Sequence, residues 1–269
     1  MKSLILLLSL AAASAQEPLP EARQIIERFT KMTGGEEAWK AVHSQSMTGK
    51  FSLPALGMQA PIKIYADSEG RTYQVIEMPG AGKVEAGNNG DVEWERSLIM
   101  GPKVKRRASV PGGLLHLSPT SRKFWDQKFG RLVTTGIDKS DGKPCYMVEV
   151  TPGEAKDQQD HCYDVESGLL VRTAVPNPLD KTQKVVMELK DYRKIGDILS
   201  PFLMTTKVMG QAFQIEFAEV KLNEKLPSEV FETPDEIKAL LAKEDKNNAK
   251  ATAEEEANRP KFKRADPPK

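Results

Sequence analysis

The sequence predicts a mainly β fold, in which a curved antiparallel sheet forms a barrel or half-barrel and N-terminal helices cover one of its faces. From about position 46 to position 220, short runs rich in Val, Ile, Tyr, Phe and Thr alternate with polar residues. Gly, Pro and Asp breaks separate these runs at short intervals, which is typical of antiparallel strands. We count about eleven runs, and a sheet of that width is expected to curl.

The first fifteen residues have the pattern of a secretory signal peptide. Lys2 precedes an apolar run from Leu4 to Ala12, and Ala13-Ser-Ala15 provides small residues for cleavage after Ala15. The run is shorter than the roughly 20 apolar residues that span a bilayer. We therefore expect export to the periplasm and a mature protein that does not span a membrane.

The charge balance argues against one class of partner. The chain has 39 basic and 38 acidic residues, and loss of Lys2 with the signal peptide makes the mature chain formally neutral. Because a neutral protein has no bulk attraction for a polyanion, we expect no nucleic-acid partner.

Two helices are predicted before the first strand, at 20–32 and 36–42. The first carries one apolar stripe, and the second would bury Trp39 and Val42. As a lid or plug, this pair would control access to a cavity; as a packing unit, it would simply cover a sheet face, which is the simpler interpretation. The stripe consists of Ala22, Ile25, Ile26, Phe29 and Met32.

Five strands with short turns follow and predict an antiparallel meander. They are Met47–Leu53, Pro61–Ala66, Arg71–Glu77, Lys83–Gly87 and Val92–Leu98. The basic cluster Lys103–Arg107 is then expected in a loop, where it would contact anionic headgroups or an acidic partner, or simply face solvent. Leu114–Leu117 and Phe124-Trp125 are candidates for a mobile cover over a binding groove.

The only two cysteines lie in a predicted hairpin that follows the strand Arg131–Ile137. If the turn centres between Gly153 and Glu154, Cys145 and Cys162 lie directly opposite each other. Opposed Cβ atoms approach to about 4.5–5.5 Å, which suits a disulfide in an oxidising compartment. The sequence therefore predicts a Cys145–Cys162 disulfide.

Four further strands complete the predicted domain, 16–241, and are Leu169–Val175, Lys184–Lys194, Leu203–Met209 and Gln211–Val220. From Ala242 to Lys269 the chain contains no Leu, Ile, Val or Met. Such a segment buries too little apolar surface to fold, so we expect a disordered charged tail at 242–269.

Sequence motifs of catalysis are missing. There is no Gly-x-Ser-x-Gly, His-Glu-x-x-His, phosphate-binding glycine loop or Cys-x-x-Cys. His161 beside Cys162 is a weak metal signal, because strand alternation directs neighbouring side chains to opposite faces. We therefore predict no catalytic residues, cofactor or metal.

The concave face of such a sheet is either filled by its own helices or left as an apolar ligand cavity. Alternation along the strands gives the candidates for lining a cavity, although it does not say which strand face is concave. These candidates are Ile62, Ile64, Tyr73, Val75, Trp94, Met147, Phe213, Ile215 and Phe217.

The order of several short motifs resembles a known family. They include Thr33-Gly-Gly-Glu-Glu-Ala-Trp39, Asn89-Gly-Asp-Val-Glu-Trp94, Asp141-Gly-Lys-Pro-Cys-Tyr146 and Val230-Phe-Glu-Thr-Pro234. Together they resemble the exported bacterial outer-membrane lipoprotein-sorting proteins, which share the LolA/LolB-like fold. The resemblance implies an incomplete antiparallel barrel capped by helices, whose apolar cavity receives the acyl chains of lipoproteins.

These observations predict a non-catalytic periplasmic carrier or chaperone that binds lipid acyl chains or a lipid-modified protein. One alternative is an envelope protein–protein interaction module with a filled cavity. A second is a secreted hydrolase with no recognisable motif.

Overall fold

The computed structural model describes residues 18–106, 129–152, 158–177 and 180–257. The predicted signal peptide and the predicted cover segments at 114–117 and 124–125 lie outside these ranges. The helices are α1 (Ala22–Met32), α2 (Gly35–Lys40) and α3 (Asp235–Ala257). Two 3₁₀ turns cover Pro54–Leu56 and Ser228–Phe231.

The described strands form one antiparallel sheet of thirteen strands. The first meander contains β1 (Ser44–Leu53), β2 (Met58–Asp67), β3 (Thr72–Met78), β4 (Gly82–Asn88), β5 (Val92–Ser97) and β6 (Lys103–Arg106). The second contains β7 (Phe129–Ser140), β8 (Lys143–Pro152), β9 (Gln159–Asp164), β10 (Leu170–Pro176), β11 (Lys184–Ile195), β12 (Ile198–Val208) and β13 (Gln211–Leu222).

The sheet order places β1 and β13 beside each other at the junction of the two meanders, while β6 and β7 form the two edges. Gly49 lies at this junction, where a Cβ atom would be 2.2 Å from the Glu216 carbonyl oxygen. Because the sheet is wide, curved and not closed, it confirms the predicted incomplete barrel.

One face of the sheet carries the main hydrophobic core, which we call the inner face. Residues from β1–β3 and β8–β13 form one cluster there together with Ala22 and Ile25 of α1. A smaller cluster contains Trp39, Val42 and Ile198, which confirms the predicted burial of Trp39 and Val42. The helix α1 therefore covers the inner face.

The basic cluster lies in a strand, so the prediction of a loop for Lys103–Arg107 was wrong up to Arg106. The strand β6 pairs with β5, with Trp94 opposite Val104 and Glu95 opposite Lys103. Opposed acidic residues on β5 compensate the basic side of β6, which composition alone does not reveal. Arg107 lies outside the described residues.

The cysteines form the predicted disulfide, with Cα atoms 5.4 Å apart, but the predicted register was wrong. Cys145 lies opposite Asp164, and Cys162 lies opposite Met147. The cysteines are therefore diagonal neighbours on one face. The Asp164 carboxylate accepts hydrogen bonds from the Ser167 N–H and hydroxyl, both at 2.7 Å, and thereby fixes the end of β9.

The expectation of disorder from Ala242 was wrong as far as Ala257, because α3 continues to that residue. The composition of 242–257 excludes a buried core, but its Ala, Lys and Glu residues have high helix propensity. In the first turn of α3, the side chain of Ile237 is fully buried and anchors the helix. Residues 258–269 lie outside the described ranges.

Candidate functional site

Five of the nine predicted cavity residues lie on the inner face. Ile62 and Ile64 of β2 and Ile215 and Phe217 of β13 are buried in the main core. Phe213 follows the same strand parity and packs its ring against Phe51, with centroids 5.6 Å apart. These five residues line neither of the two grooves described below.

The other four predicted residues lie on the outer face, so the structure does not bring the nine together. Tyr73 and Val75 pair with Tyr65 and Lys63 on β2, one step out of phase with the inner-face isoleucines. Trp94 shares that outer face, because it lies opposite Gly87, which itself lies opposite Tyr73. Strand alternation identifies two faces, but only the packing of α1 shows which one is inside.

Met147 is the fourth of these residues. It lies opposite Cys162, and its sulfur accepts a contact from the Arg172 guanidinium at 3.5 Å. The same guanidinium also contacts the Cys162 sulfur at 3.8 Å. Met147 therefore belongs to the surroundings of the disulfide on the outer face.

The helix α1 places apolar side chains on the inner face. Ala22 and Ile25 are buried, and Ile26 and Phe29 pack against the same core. The Phe29 ring meets the fully buried Tyr163 ring, with centroids 5.5 Å apart. The four residues follow the i, i+3, i+4, i+7 spacing of one helix face, which is why the stripe was visible in the sequence.

Hydrogen bonds hold both α1 and the residues just before it. The Arg28 guanidinium donates hydrogen bonds to the carbonyl oxygens of Val165 at 2.8 Å and Glu166 at 2.5 Å. Gly168 makes room for that side chain, because a Cβ atom there would be 2.9 Å from the Arg28 Nε. Before the helix begins, the Thr134 hydroxyl donates to the Pro20 carbonyl oxygen at 2.7 Å.

A small polar patch interrupts the apolar inner face at β9. His161 is completely buried, with its Nδ1 3.3 Å from the Tyr163 hydroxyl and its Nε2 3.2 Å from the Gln159 side-chain oxygen. Burial lowers the pKa of His161 to about 3, so the imidazole is neutral at physiological pH. The patch therefore offers neutral hydrogen-bonding groups.

A groove of about 520 Å³ lies between the start of α1 and the edge strand β7. Its lining includes the charged side chains of Glu21 and Arg23 as well as apolar ones; the full set is Leu19, Pro20, Glu21, Ala22, Arg23, Leu132, Val133 and Thr134. Leu132 packs against the main core, so the groove runs from the sheet edge towards the inner face. Its volume falls within the usual range of small-molecule sites.

A second groove, of about 660 Å³, lies on the outer face between β2–β5 and the segment that leads into α3. At its centre the Glu85 carboxylate accepts hydrogen bonds from the Tyr73 hydroxyl at 2.6 Å and the Arg96 Nε at 2.8 Å. Arg96 also donates to Glu236 at 3.1 Å, which ties α3 to the sheet. Sequence analysis missed this cluster, since only strand pairing brings Glu85 and Arg96 together.

The cluster shifts three pKa values. Burial favours the neutral acid, but hydrogen bonds from Arg96 and Tyr73 hold the pKa of Glu85 below its ordinary value. Burial and the hydrogen bond to Glu85 raise the pKa of Tyr73. The hydrogen bond to Glu85 raises the pKa of Arg96. Glu85 and Arg96 therefore both stay charged over a wide pH range.

Within the described ranges, no group of three or more His, Cys, Asp or Glu residues is arranged to hold a metal ion. In the same part of the chain, no helix is long and apolar enough to cross a membrane.

Several solved bacterial structures share this architecture. A DUF1329 family protein from Desulfovibrio piger is 15% identical with a TM-score of 0.52, over 80% of this chain and 98% of that one. A LolA superfamily protein from Nitrosomonas europaea is 10% identical with a TM-score of 0.51, over 80% and 99%. An outer membrane lipoprotein-sorting protein domain, described as putative, from Vibrio parahaemolyticus is 13% identical with a TM-score of 0.51, over 77% and 94%.

These similarities show a LolA-like fold. At 10–15% identity they carry no information about activity. No protein-family model matches the chain, and no curated protein matches it.

Proposed function

We propose that this protein is a non-catalytic periplasmic carrier or chaperone that binds lipid acyl chains or an acylated lipoprotein between α1 and the inner face of its sheet. The groove between α1 and β7 carries the proposal, because Leu132 lines it and also packs against the apolar core. Each buried CH₂ contributes about 0.8 kcal/mol, so an acyl chain of ordinary length binds without covalent chemistry. The LolA-like fold and the predicted signal peptide support this proposal.

The first test is native mass spectrometry of the mature protein from an exporting host, followed by organic extraction. A lipid in stoichiometric amount is the expected result. A protein that is empty and also fails to take up a fluorescent fatty acid would contradict the carrier function.

A variant of the groove locates the site. Leu132→Glu places a carboxylate beside the apolar core and is expected to reduce fatty-acid uptake at least about tenfold. Leu132→Trp is a second variant, which fills the groove while keeping it apolar. Leu56→Glu is the matched control, because Leu56 is exposed in the turn between β1 and β2. Thermal unfolding of each variant separates loss of binding from loss of fold.

An envelope protein–protein interaction module is the second candidate. The observation that favours it is the Arg28 attachment of α1, which holds the helix over the inner face. If α1 obstructs the site, Arg28→Ala accelerates fatty-acid uptake. If α1 permanently fills the space over the inner face, Arg28→Ala lowers the stability of the fold. In that case neither the wild type nor this variant takes up lipid.

A further inference from the structure

The outer-face groove lies between β2–β5 and residues 227–238, and contacts across it fix both walls. The Arg71 guanidinium, just before β3, lies over the Phe231 ring, 5.0 Å from its centroid. The Asn89 side-chain N–H donates to the Thr233 hydroxyl oxygen at 3.0 Å. A groove of about 660 Å³ with fixed walls is large enough for a small molecule and loses little conformational entropy when it binds one.

Aromatic side chains line the sheet side of this groove. The rings of Tyr65 and Tyr73, on adjacent strands, have centroids 6.4 Å apart and planes at 19° to each other. The Trp94 ring lies 6.1 Å from that of Tyr73, and Gly87 makes room for it, because a Cβ atom there would be 2.5 Å from the indole. The Arg96 guanidinium already lies over the Trp94 ring, 5.8 Å from its centroid. Because Trp94 is buried and the tyrosines are only half-buried, the two tyrosine rings are the ones that a ligand can contact.

The described lining of the groove has more acidic than basic side chains. It contains six acidic and four basic residues, whereas the whole chain has a net charge of +1. The acidic residues are Glu77, Glu85, Glu229, Glu232, Asp235 and Glu236. The lining is therefore locally acidic and favours a cationic ligand over an anionic one.

Ion pairs within the lining do not remove this excess. Arg96 pairs with Glu85 at 2.8 Å and with Glu236 at 3.1 Å, so one positive charge serves two carboxylates. The other basic residues of the lining are Lys63, Lys83 and Lys238. Each of them balances at most one carboxylate, so two of the six negative charges remain uncompensated within the lining.

We propose that the outer-face groove binds an organic cation, that is, an ammonium group carried on an apolar frame. The ammonium group lies against the rings of Tyr65 and Tyr73, and the acidic excess of the lining attracts it. This ligand suits the groove better than a metal ion, since no three acidic side chains in the described ranges converge to hold one. The proposal goes beyond acyl-chain binding, because it concerns the opposite face of the sheet.

Isothermal titration calorimetry of the mature chain with choline tests the proposal. The control ligand is the neutral isostere of choline, in which a tert-butyl group replaces the trimethylammonium group. We expect choline to bind at least about tenfold more tightly than this isostere, and to bind more weakly at high salt. Equal affinities of the two ligands, or no binding of choline, would overturn the proposal.

Phosphocholine separates two sources of the ammonium group. Because its phosphate meets an acidic lining, we expect it to bind about tenfold more weakly than choline, which would assign a free ammonium compound. Equal binding of choline and phosphocholine would assign the ammonium group to a lipid headgroup instead.

Two groove variants separate the components of binding. Tyr65→Leu keeps the groove apolar but removes one ring, and is expected to weaken choline binding about fivefold. Glu77→Gln with Glu232→Gln removes the acidic excess and is expected to weaken it about fivefold as well. Glu27→Gln with Glu95→Gln is the matched control, because it removes two exposed carboxylates that lie outside the groove, and it should bind choline like the wild type.

Thermal unfolding shows whether each variant keeps its fold. Unchanged choline binding in both groove variants would overturn the proposal, as would an equal loss of binding in the control. Fatty-acid uptake by the inner face is measured separately and should not respond to Tyr65→Leu. Failure of cation binding is therefore distinguishable from failure of the carrier function.

Discussion

The rings of Phe29 and Tyr163 meet edge to face, with centroids 5.5 Å apart and an angle of 61° between their planes. This contact joins α1 to β9, the third strand from the β7 edge of the sheet, next to the Arg28 hydrogen bonds. The position of α1 is thus defined by an apolar contact and a polar one on successive residues. Both the carrier and the filled-module interpretations depend on how easily these contacts open.

Phe29→Ala is expected to lower the free energy of unfolding by about 2 kcal/mol, because Phe29 is half-buried and loses the Tyr163 contact. Urea denaturation measures the change. Lys31→Ala, at an exposed position of the same helix, is the control and should stay within about 0.5 kcal/mol of wild type. Equal effects of the two variants would show that α1 is not held by its apolar face.

Loss of the disulfide should destabilise the second meander. The double variant Cys145→Ala, Cys162→Ala is expected to cost about 3 kcal/mol, since the bridge closes a loop with a sequence separation of 17. Denaturant unfolding with and without reductant checks this. Reductant should lower the stability of the wild type alone, and a reductant effect on the double variant would contradict the assignment.

Stability should fall in acid because of His161. Its folded-state pKa of about 3 lies below the ordinary value of 6.5, so the unfolded chain takes up the proton first. The contribution of His161 to the free energy of unfolding is constant above about pH 6.5. It declines as pH falls towards 3, by at most about 1.4 kcal/mol per pH unit. His161→Gln should flatten this part of the urea-midpoint profile, and an unchanged slope would refute the role of His161.

Glu85 should change the stability of the fold at lower pH than His161 does. Hydrogen bonds from Arg96 and Tyr73 hold the folded-state pKa of Glu85 below its ordinary value of 4.5, so the ion pair with Arg96 stabilises the fold above that value. The stabilisation is lost as pH falls through the depressed pKa. The stability difference between wild type and Glu85→Gln should therefore shrink below about pH 4.5. Glu95→Gln, at an exposed pair with Lys103, serves as the control.

Local patterns were sufficient to predict most of the fold. Alternation indicated about eleven strands where the described residues form thirteen, and β6 was missed because Lys103–Arg106 is short and basic. The apolar spacing in 20–32 identified α1. These features depend on residues near each other in sequence, which is why one chain reveals them.

The candidate site was only partly predictable. Ile62 and Tyr73 belong to equally convincing alternating strands, but they lie on opposite faces because register decides the face. The Arg28 attachment to Val165 and the cluster of Glu85 with Arg96 bring distant residues together, and no local pattern marks such pairs. The helix after Ala242 was missed because a composition that cannot form a core can still favour a helix.

The pairing of β1 with β13 has a consequence for how the chain folds. Each meander is built from neighbouring hairpins, whereas this one junction joins strands from opposite ends of the domain. Closing it requires the largest loop in the sheet, so we expect it to form after the hairpins. A circular permutant that begins after Arg106 and links the present termini would turn this junction into a connection between successive strands. It should fold faster than the natural chain order.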